Sequence, residues 1–431
     1  MRASRLPAFV VLVAVLAAIA ATMALTVPWH PLPGVTGALE PSPRPDFTGS
    51  QIANAAAFSR AYDPSSYASM AASLLVILVL ALTPLGARLV RWVARPFGGG
   101  WGWQVILGVV GLRLATRLAG LPFDAWGESV LRRYDLSTQS WPGWGTDVAK
   151  SFGINTGITV IVALVLYLLI RKLPRGWWLP AAVGGFALVV VLSFVYPVVV
   201  EPVFANFRPM RQGQLRSQLL HLAAEDDVPV SQVLVADASA RTTSLNAYVS
   251  GFGATRRIVI YDTLLHDATP AEVRLVVAHE LGHAAEHDVL YGTILGALGV
   301  SAGGCVLYLL SSWGLLLRRA GTRSARDPGT LALLLAIVAV FSVVSVPVQN
   351  LVSRHIEARA DVHALDLTHD PEAFIHMQRA LAVHNLSDLR PETVKYTMFS
   401  THPTAPERIA LARAWARLHR HAVPPPLAPS R

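Results

Sequence analysis

Seven stretches of the chain, near residues 7–27, 67–86, 102–122, 152–170, 177–200, 289–313 and 330–351, stay apolar over the roughly 20 residues that a helix needs to cross about 30 Å of hydrocarbon. Inside lipid each backbone N–H and C=O has to be paired within its own segment, which a helix achieves and an open strand or loop does not. The chain is therefore read as mainly α, a polytopic membrane protein with seven transmembrane helices. Its composition agrees: of 431 residues 53% are hydrophobic and 15% charged, where a soluble domain carries about 25% charged residues. Too few polar side chains remain to cover a wet surface, so an entirely soluble or disordered protein is excluded. The first stretch follows Arg2 and Arg5 but is long for a signal peptide and lacks a clear small-residue cleavage site, so it is read as a retained span. Cys305 is the sole cysteine, which excludes an internal disulfide and a thiol cluster for a metal.

The spans divide the chain. Residues 1–200 hold the first five helices and their loops. Residues 201–288 change texture, with charges, turn residues and β-rich runs such as Gln232-Val233-Leu234-Val235 and Arg257-Ile258-Val259-Ile260-Tyr261, and read as a small water-facing α+β domain. Residues 289–351 hold the sixth and seventh spans. Residues 352–420 form a polar helical region, with helices from Arg354 to about Leu367, from Pro371 to about His384 and near 405–418. The last stretch, 421–431, with Pro424-Pro425-Pro426 and Pro429, is expected to be disordered.

The formal charge of +9 comes mostly from arginines scattered through loops, which argues against a nucleic-acid partner and for membrane topology. Loops on the side of the N-terminus, at 2–5, 88–95, 171–175 and 318–326, carry twelve Lys and Arg, and the opposite short loops carry five. By the positive-inside rule the N-terminus is cytoplasmic and residues 201–288 face outward.

Thr269-Pro270-Ala271-Glu272 has the form of a capping box with Pro at the first helical position, so a helix starts there. It runs through Val276-Val277-Ala278 into His279-Glu280-Leu281-Gly282-His283 and, without a breaker, toward the sixth span. Four residues advance a helix by 400°, which stacks His279 and His283 about 6 Å apart on one face, in reach of one tetrahedral Zn2+. Glu280, 100° around, is placed to take a proton from water at the metal. A second register competes, since His283-Ala284-Ala285-Glu286-His287 is the inverted form of the same motif. The third ligand has to come from elsewhere. Glu357 is the best candidate, with His355 and His363 as alternatives, and Asp361, one turn on from Glu357, can orient a liganding imidazole through its other nitrogen.

The ordered set Asn246-Ala247-Tyr248, Tyr261-Asp262-Thr263-Leu264-Leu265, His279-Glu280-Leu281-Gly282-His283, Ser353-Arg354 with Glu357 and Ala360-Asp361, and Ser400-Thr401-His402-Pro403 with Glu407-Arg408 closely resembles the type 1 CAAX prenyl proteases, seven-span integral membrane zinc metallopeptidases. The motifs cover about 195–412; the first four spans match only in number and spacing. The resemblance implies that His279, His283 and Glu357 bind one Zn2+, that Glu280 is the catalytic base, and that Asp361 is the neighbouring carboxylate sometimes described as a proton donor. His287 matches a family position that is not a ligand, which favours the first register. The resemblance also implies spans that enclose a water-filled chamber with the zinc at its cytosolic end, in conflict with the loop charges.

Of the remaining residues, Asn246, Ala247 and Tyr248 read as a short strand that could hold substrate main chain, or as an ordinary edge strand. His402 is a candidate donor to the oxyanion of the attacked carbonyl, or a turn-stabilising loop residue. Arg408 is grouped with the substrate-binding residues, and reads equally as pairing with a site carboxylate or as solvating a helix. Arg113 and Arg117, four apart in the third span, hint at a wet interior. Together these readings give a membrane-embedded zinc metalloendopeptidase with peptide or protein substrates, lipidated or membrane-inserted ones included. It is expected in a bacterial plasma membrane, because the chain is rich in Arg and Ala and poor in Lys. The alternative is a transporter or channel with a structural zinc site.

Overall fold

The computed structural model describes residues 5–34, 41–251 and 256–427; Arg2 and, at the end of the tail, residues 428–431 with Pro429 lie outside them. Among the described residues seven helical segments are long and apolar enough to cross a membrane. They are built on α1 (Arg5–Thr26), α2 (Gly49–Leu82), α4 (Trp101–Arg133), α5 (Trp141–Lys172), α6 (Trp178–Val195, continued by a π-turn at Tyr196–Val200), α10 (Asp288–Ser311) and α12 (Leu331–Thr368), with the short amphipathic α3 (Leu85–Ala94) between α2 and α4 and the short α11 (Gly314–Arg319) between α10 and α12. Large apolar side chains point outward from them, for example Leu75, Ile161, Val183 and Val344, each more than 60% exposed. A surface of that kind is stable only against lipid.

The spans form a ring. α12 packs on α2, α2 on α4 and α4 on α5, while α6 packs on α10 and α10 on α12; α5 meets α6 at few residues, and α1 lies outside against α10. Two cavities of 440 and 460 Å³ open between α2, α4 and α5, where Ser65, Ser69, Ser73, Arg113 and Arg117 stand among apolar side chains such as Trp144 and Phe152.

The module that follows the fifth span contains a four-stranded sheet ordered β1 (Phe207–Pro209), β2 (Gln232–Ala236), β4 (Arg257–Tyr261), β3 (Ala247–Ser250), with β2 and β4 parallel and the outer pairs antiparallel. α7 (Gln214–Glu225), α8 (Asp262–Asp267) and α9 (Pro270–Ala285) complete it, joined by α13 (Pro371–His384), α14 (Thr393–Phe399) and α15 (Ala405–Leu418) from the C-terminal region. One sheet face packs Val233, Ile258 and Ile260 against Val277 and Leu281 of α9, and Phe374 and Trp415 close the same core. Each such side chain stabilises by about 1.5–3 kcal/mol on burial. The capping box at Thr269 and Glu272 is formed, with Glu272 N–H on Thr269 Oγ1 at 3.3 Å, and contributes about 1 kcal/mol.

Three expectations change. The zinc-motif helix does not run on into the sixth span: α9 ends at Ala285, His287 takes a left-handed φ of 60°, and α10 starts afresh at Asp288. The polar helix expected from Arg354 is the end of the seventh span, because α12 is continuous over 38 residues and accommodates Pro347. The tail is not free as far as Leu427. Arg413 Nε bonds Pro424 O at 3.1 Å, and Leu427 N–H bonds the buried Asp46 at 3.2 Å.

Candidate active site

α9 brings His279 and His283 to one face, and α12 packs across that face and delivers Glu357. The close approach depends on Gly282. A Cβ there would stand 3.0 Å from the Cβ and two ring carbons of His363, whose Nε2 is held 2.9 Å from Asp226.

Each imidazole is oriented from behind. Nδ1 of His279 lies 3.0 Å from Asp361 and Nδ1 of His283 lies 2.9 Å from Asp288. A carboxylate only accepts, so both Nδ1 atoms carry the proton and both Nε2 lone pairs face forward. The two Nε2 atoms stand 3.3 Å apart, with Glu357 oxygens 3.1 Å from His279 Nε2 and 3.6 Å from His283 Nε2. Three acceptors this close repel unless a cation lies among them. Their separations scatter about the edge of a tetrahedron with bonds of about 2 Å, which is about 3.3 Å. The donor set therefore fits a small divalent ion, and these three residues are the one group among the described residues whose ligand atoms converge within 4.8 Å.

Electrostatics point the same way. Burial by itself lowers the pKa of His279, but hydrogen bonds to Asp361 and Glu357 outweigh it and push the imidazole up to about 10. The pocket is short of positive charge. Glu280 is raised by its burial, partly offset by the two histidines and by a hydrogen bond from the Val249 backbone.

That last contact locates Glu280. Tyr261 N–H bonds Asn246 O, so the alternation of the antiparallel ladder turns the N–H groups of Ala247 and Val249 to the outer edge of β3. No other strand pairs with that edge among the described residues, and Glu280 sits along it. The Asn246 side chain folds back onto the Ala247 amide at 2.9 Å. Tyr248 projects from the opposite sheet face, where its hydroxyl bonds Glu201 at the end of the fifth span. Arg257 fastens the same corner to Pro197 O at 2.8 Å and to Glu201 at 3.2 Å.

His402 approaches from the open side, its Nε2 3.3 Å from Glu357 and its side chain half exposed. Of the readings of Arg408, the structure shows the pairing with a site carboxylate. The Nε and Nη2 of Arg408 bond both oxygens of Asp361, the Nε contact at 2.7 Å. Asp361 is itself fully buried beneath His279, so it is placed to orient that ring and not to reach a substrate. The competing register is not assembled: His287 turns to Ala285 O at 2.8 Å and Glu286 pairs with Arg359. His355 bonds its own helix at Leu351 O, and His363 lies behind Gly282.

Asp288 and Arg359 were not legible as site residues. Arg359, two residues after Glu357, bonds the other oxygen of Asp288, so the orienter of His283 is braced by the helix that carries the third candidate ligand. On an unbroken helix Asp288 would lie 140° around from His283, and only the break at His287 returns it.

Comparison with known proteins covers both the membrane spans and the sheet module. The family model described as peptidase family M48 matches residues 209–416, and that described as the CAAX prenyl protease N-terminal region with five membrane helices matches 41–206. An uncharacterized metalloprotease, YhfN, of Bacillus subtilis is 34% identical over 339 residues, 78% of this chain and 79% of its own. CAAX prenyl protease 1 of Saccharomyces cerevisiae is 25% identical over 358 residues, covering 78% and 75%. The crystal structure of S. mikatae Ste24p shares the fold at a TM-score of 0.77 and 19% identity, over 94% of this chain and 98% of that one. Nothing among these favours the transporter alternative.

Proposed function

Since the chain belongs to peptidase family M48, with the type 1 CAAX prenyl proteases, and is an integral membrane metalloprotease, we propose that it is a zinc-dependent endopeptidase with His279, His283 and Glu357 as ligands and Glu280 as general base. The observation that carries this reading is the convergence of three donors at tetrahedral separations with Glu280 alongside, on the open edge of β3. Two imidazoles and a carboxylate suit Zn2+ among the divalent ions, and they leave a fourth position for water or carbonyl oxygen. Bound there, the ion supplies Lewis acidity that polarises the scissile carbonyl and acidifies water.

The chain's own residues do the rest. The outer edge of β3, at Ala247 and Val249, pairs with substrate main chain in extended form and lays the scissile bond beside Glu280. Glu280 takes the proton of the attacking water, and the same carboxyl returns it to the leaving amine, a task for which a raised pKa is suited. His402 donates to the oxyanion from the open side. Asp361 and Arg408 fix the ring of His279 from behind. Tyr248 contributes by anchoring the strand. Substrates are peptides or proteins that enter from the bilayer, lipidated ones included, because the catalytic module adjoins a ring of spans whose cavities carry both polar and apolar side chains. The setting is a bacterial plasma membrane, in keeping with the Bacillus relative.

Glu280→Gln tests the assignment. The variant should keep one zinc per chain and lose cleavage by roughly 10²–10⁴-fold. Cleavage at the wild-type rate by zinc-loaded Glu280→Gln would remove Glu280 from the mechanism. Peptides that accumulate in cells carrying the variant would identify the substrate.

A further inference from the structure

The third span carries two arginines, and the chain treats them differently. Arg117 is paired with Asp124, whose other oxygen accepts from Ser69 at 2.5 Å. Arg113, one turn away, has two hydroxyl partners, Thr156 Oγ1 at 3.1 Å and Thr159 Oγ1 at 3.4 Å, and no carboxylate among the described residues. It lies 12 residues into α4, about 18 Å along the axis, close to the middle of the bilayer. An uncompensated cation at that depth is costly and persists where something anionic comes to meet it.

The space beside it is suitable. Arg113 lines the 460 Å³ cavity between α2, α4 and α5, together with the carboxylate-paired Arg117 and the polar side chains of Ser73, Thr116, Ser151 and Asn155. The acid on that wall, Asp147, is already committed to Arg241 at 2.9 Å and Gln139 at 2.6 Å. Arg113 is thus the charge left over, with hydroxyls and an amide around it to complete the shell of an oxygen ligand. The catalytic end of the same helix is tied to the module through the bridge between Ser137 and Thr242.

We propose that Arg113 is the anion-binding subsite of the chamber and that its ligand is the free C-terminal carboxylate of a peptide. A guanidinium fork matches a carboxylate in geometry and charge, and a peptidase brings peptides with carboxylate ends into this space, as substrates or as products. From Arg113 to Glu128, at the catalytic end of α4, is 15 residues of helix, roughly 22 Å, a length that about six or seven extended residues span. This inference rests on the peptidase reading, and its test does not need turnover.

Full-length, metal-loaded Glu280→Gln protein in neutral phosphatidylcholine nanodiscs is titrated with one fluorescent peptide as its free acid and as its C-terminal amide. The acid should bind about tenfold or more tightly than the amide. That ratio should vanish in Arg113→Gln, which can still bond the threonines, and largely survive in Arg113→Lys. Equal binding of acid and amide, or a ratio that persists in Arg113→Gln, overturns the proposal. So does an Arg113 dependence seen only with phosphatidylglycerol in the disc, which would assign the cation to a lipid phosphate. Failure of the peptidase reading would show separately, as Glu280→Gln that cleaves.

Discussion

Asp288 reaches Nδ1 of His283, at 2.9 Å, because the helix that carries the histidine stops between them. The left-handed turn at His287 folds the start of α10 back over the end of α9, and Arg359 from α12 holds the second oxygen of Asp288. Two ligand-bearing helices and the sixth span thus meet at one carboxylate. Asp288→Asn should weaken zinc binding by about 10–100-fold, as loss of an orienting carboxylate does elsewhere, while the protein stays folded. Competition against a colorimetric chelator reads this directly, and an unchanged dissociation constant would sink the orienting role.

On the other imidazole the orienter is Asp361, fully buried and neutralised by Arg408. Truncating one partner of such a pair leaves a bare charge in the interior, which costs about 3–5 kcal/mol. Arg408→Leu should therefore lower the thermal midpoint more than the double variant Arg408→Leu with Asp361→Asn, in which no charge is stranded. Thermal unfolding in detergent distinguishes the two. Equal losses would mean that Arg408 acts through packing alone.

Gly282 sits where His363 presses its ring on α9. Gly282→Ala overpacks the junction of α9 and α12 and should destabilise by about 1–3 kcal/mol. In a His363→Gly background, which removes the Cβ as well as the ring, the same substitution should cost far less. A double-mutant cycle in thermal stability checks this, and additive effects would show that the contact is not the cause.

What the sequence carries on its surface is what depends on local pattern. The capping box of Thr269 and Glu272, the placing of His279 and His283 on one helix face and the hydropathy of the spans are each contained in consecutive residues, and each is found where the pattern puts it. What escaped depends on backbone breaks or distant partners. No helical wheel pairs Asp288 with His283, and no local signal joins Arg408 to Asp361 across 47 residues or Tyr248 to Glu201 across 47 more. The charged stretch after residue 351 reads as a separate helix because its composition changes, although its backbone continues α12 without interruption.

The loop arginines set the orientation of the molecule in the membrane. Five spans separate the N-terminus from the sheet module, and the seventh ends on the module's side with Glu357, so both the module and the C-terminus lie across the membrane from Arg5. The arginine-rich connections at 88–95, 171–175 and 318–326 all lie on the side of Arg5. A Lys and Arg excess of this kind marks the cytoplasmic face, which sets the catalytic module outside the cytoplasm. A reporter active only in the cytoplasm, fused after Arg431, should be silent, and one active only outside should report. The opposite pattern would put Glu280 in the cytosol, as the family resemblance implies, and would mean that the loop arginines serve a purpose other than topology.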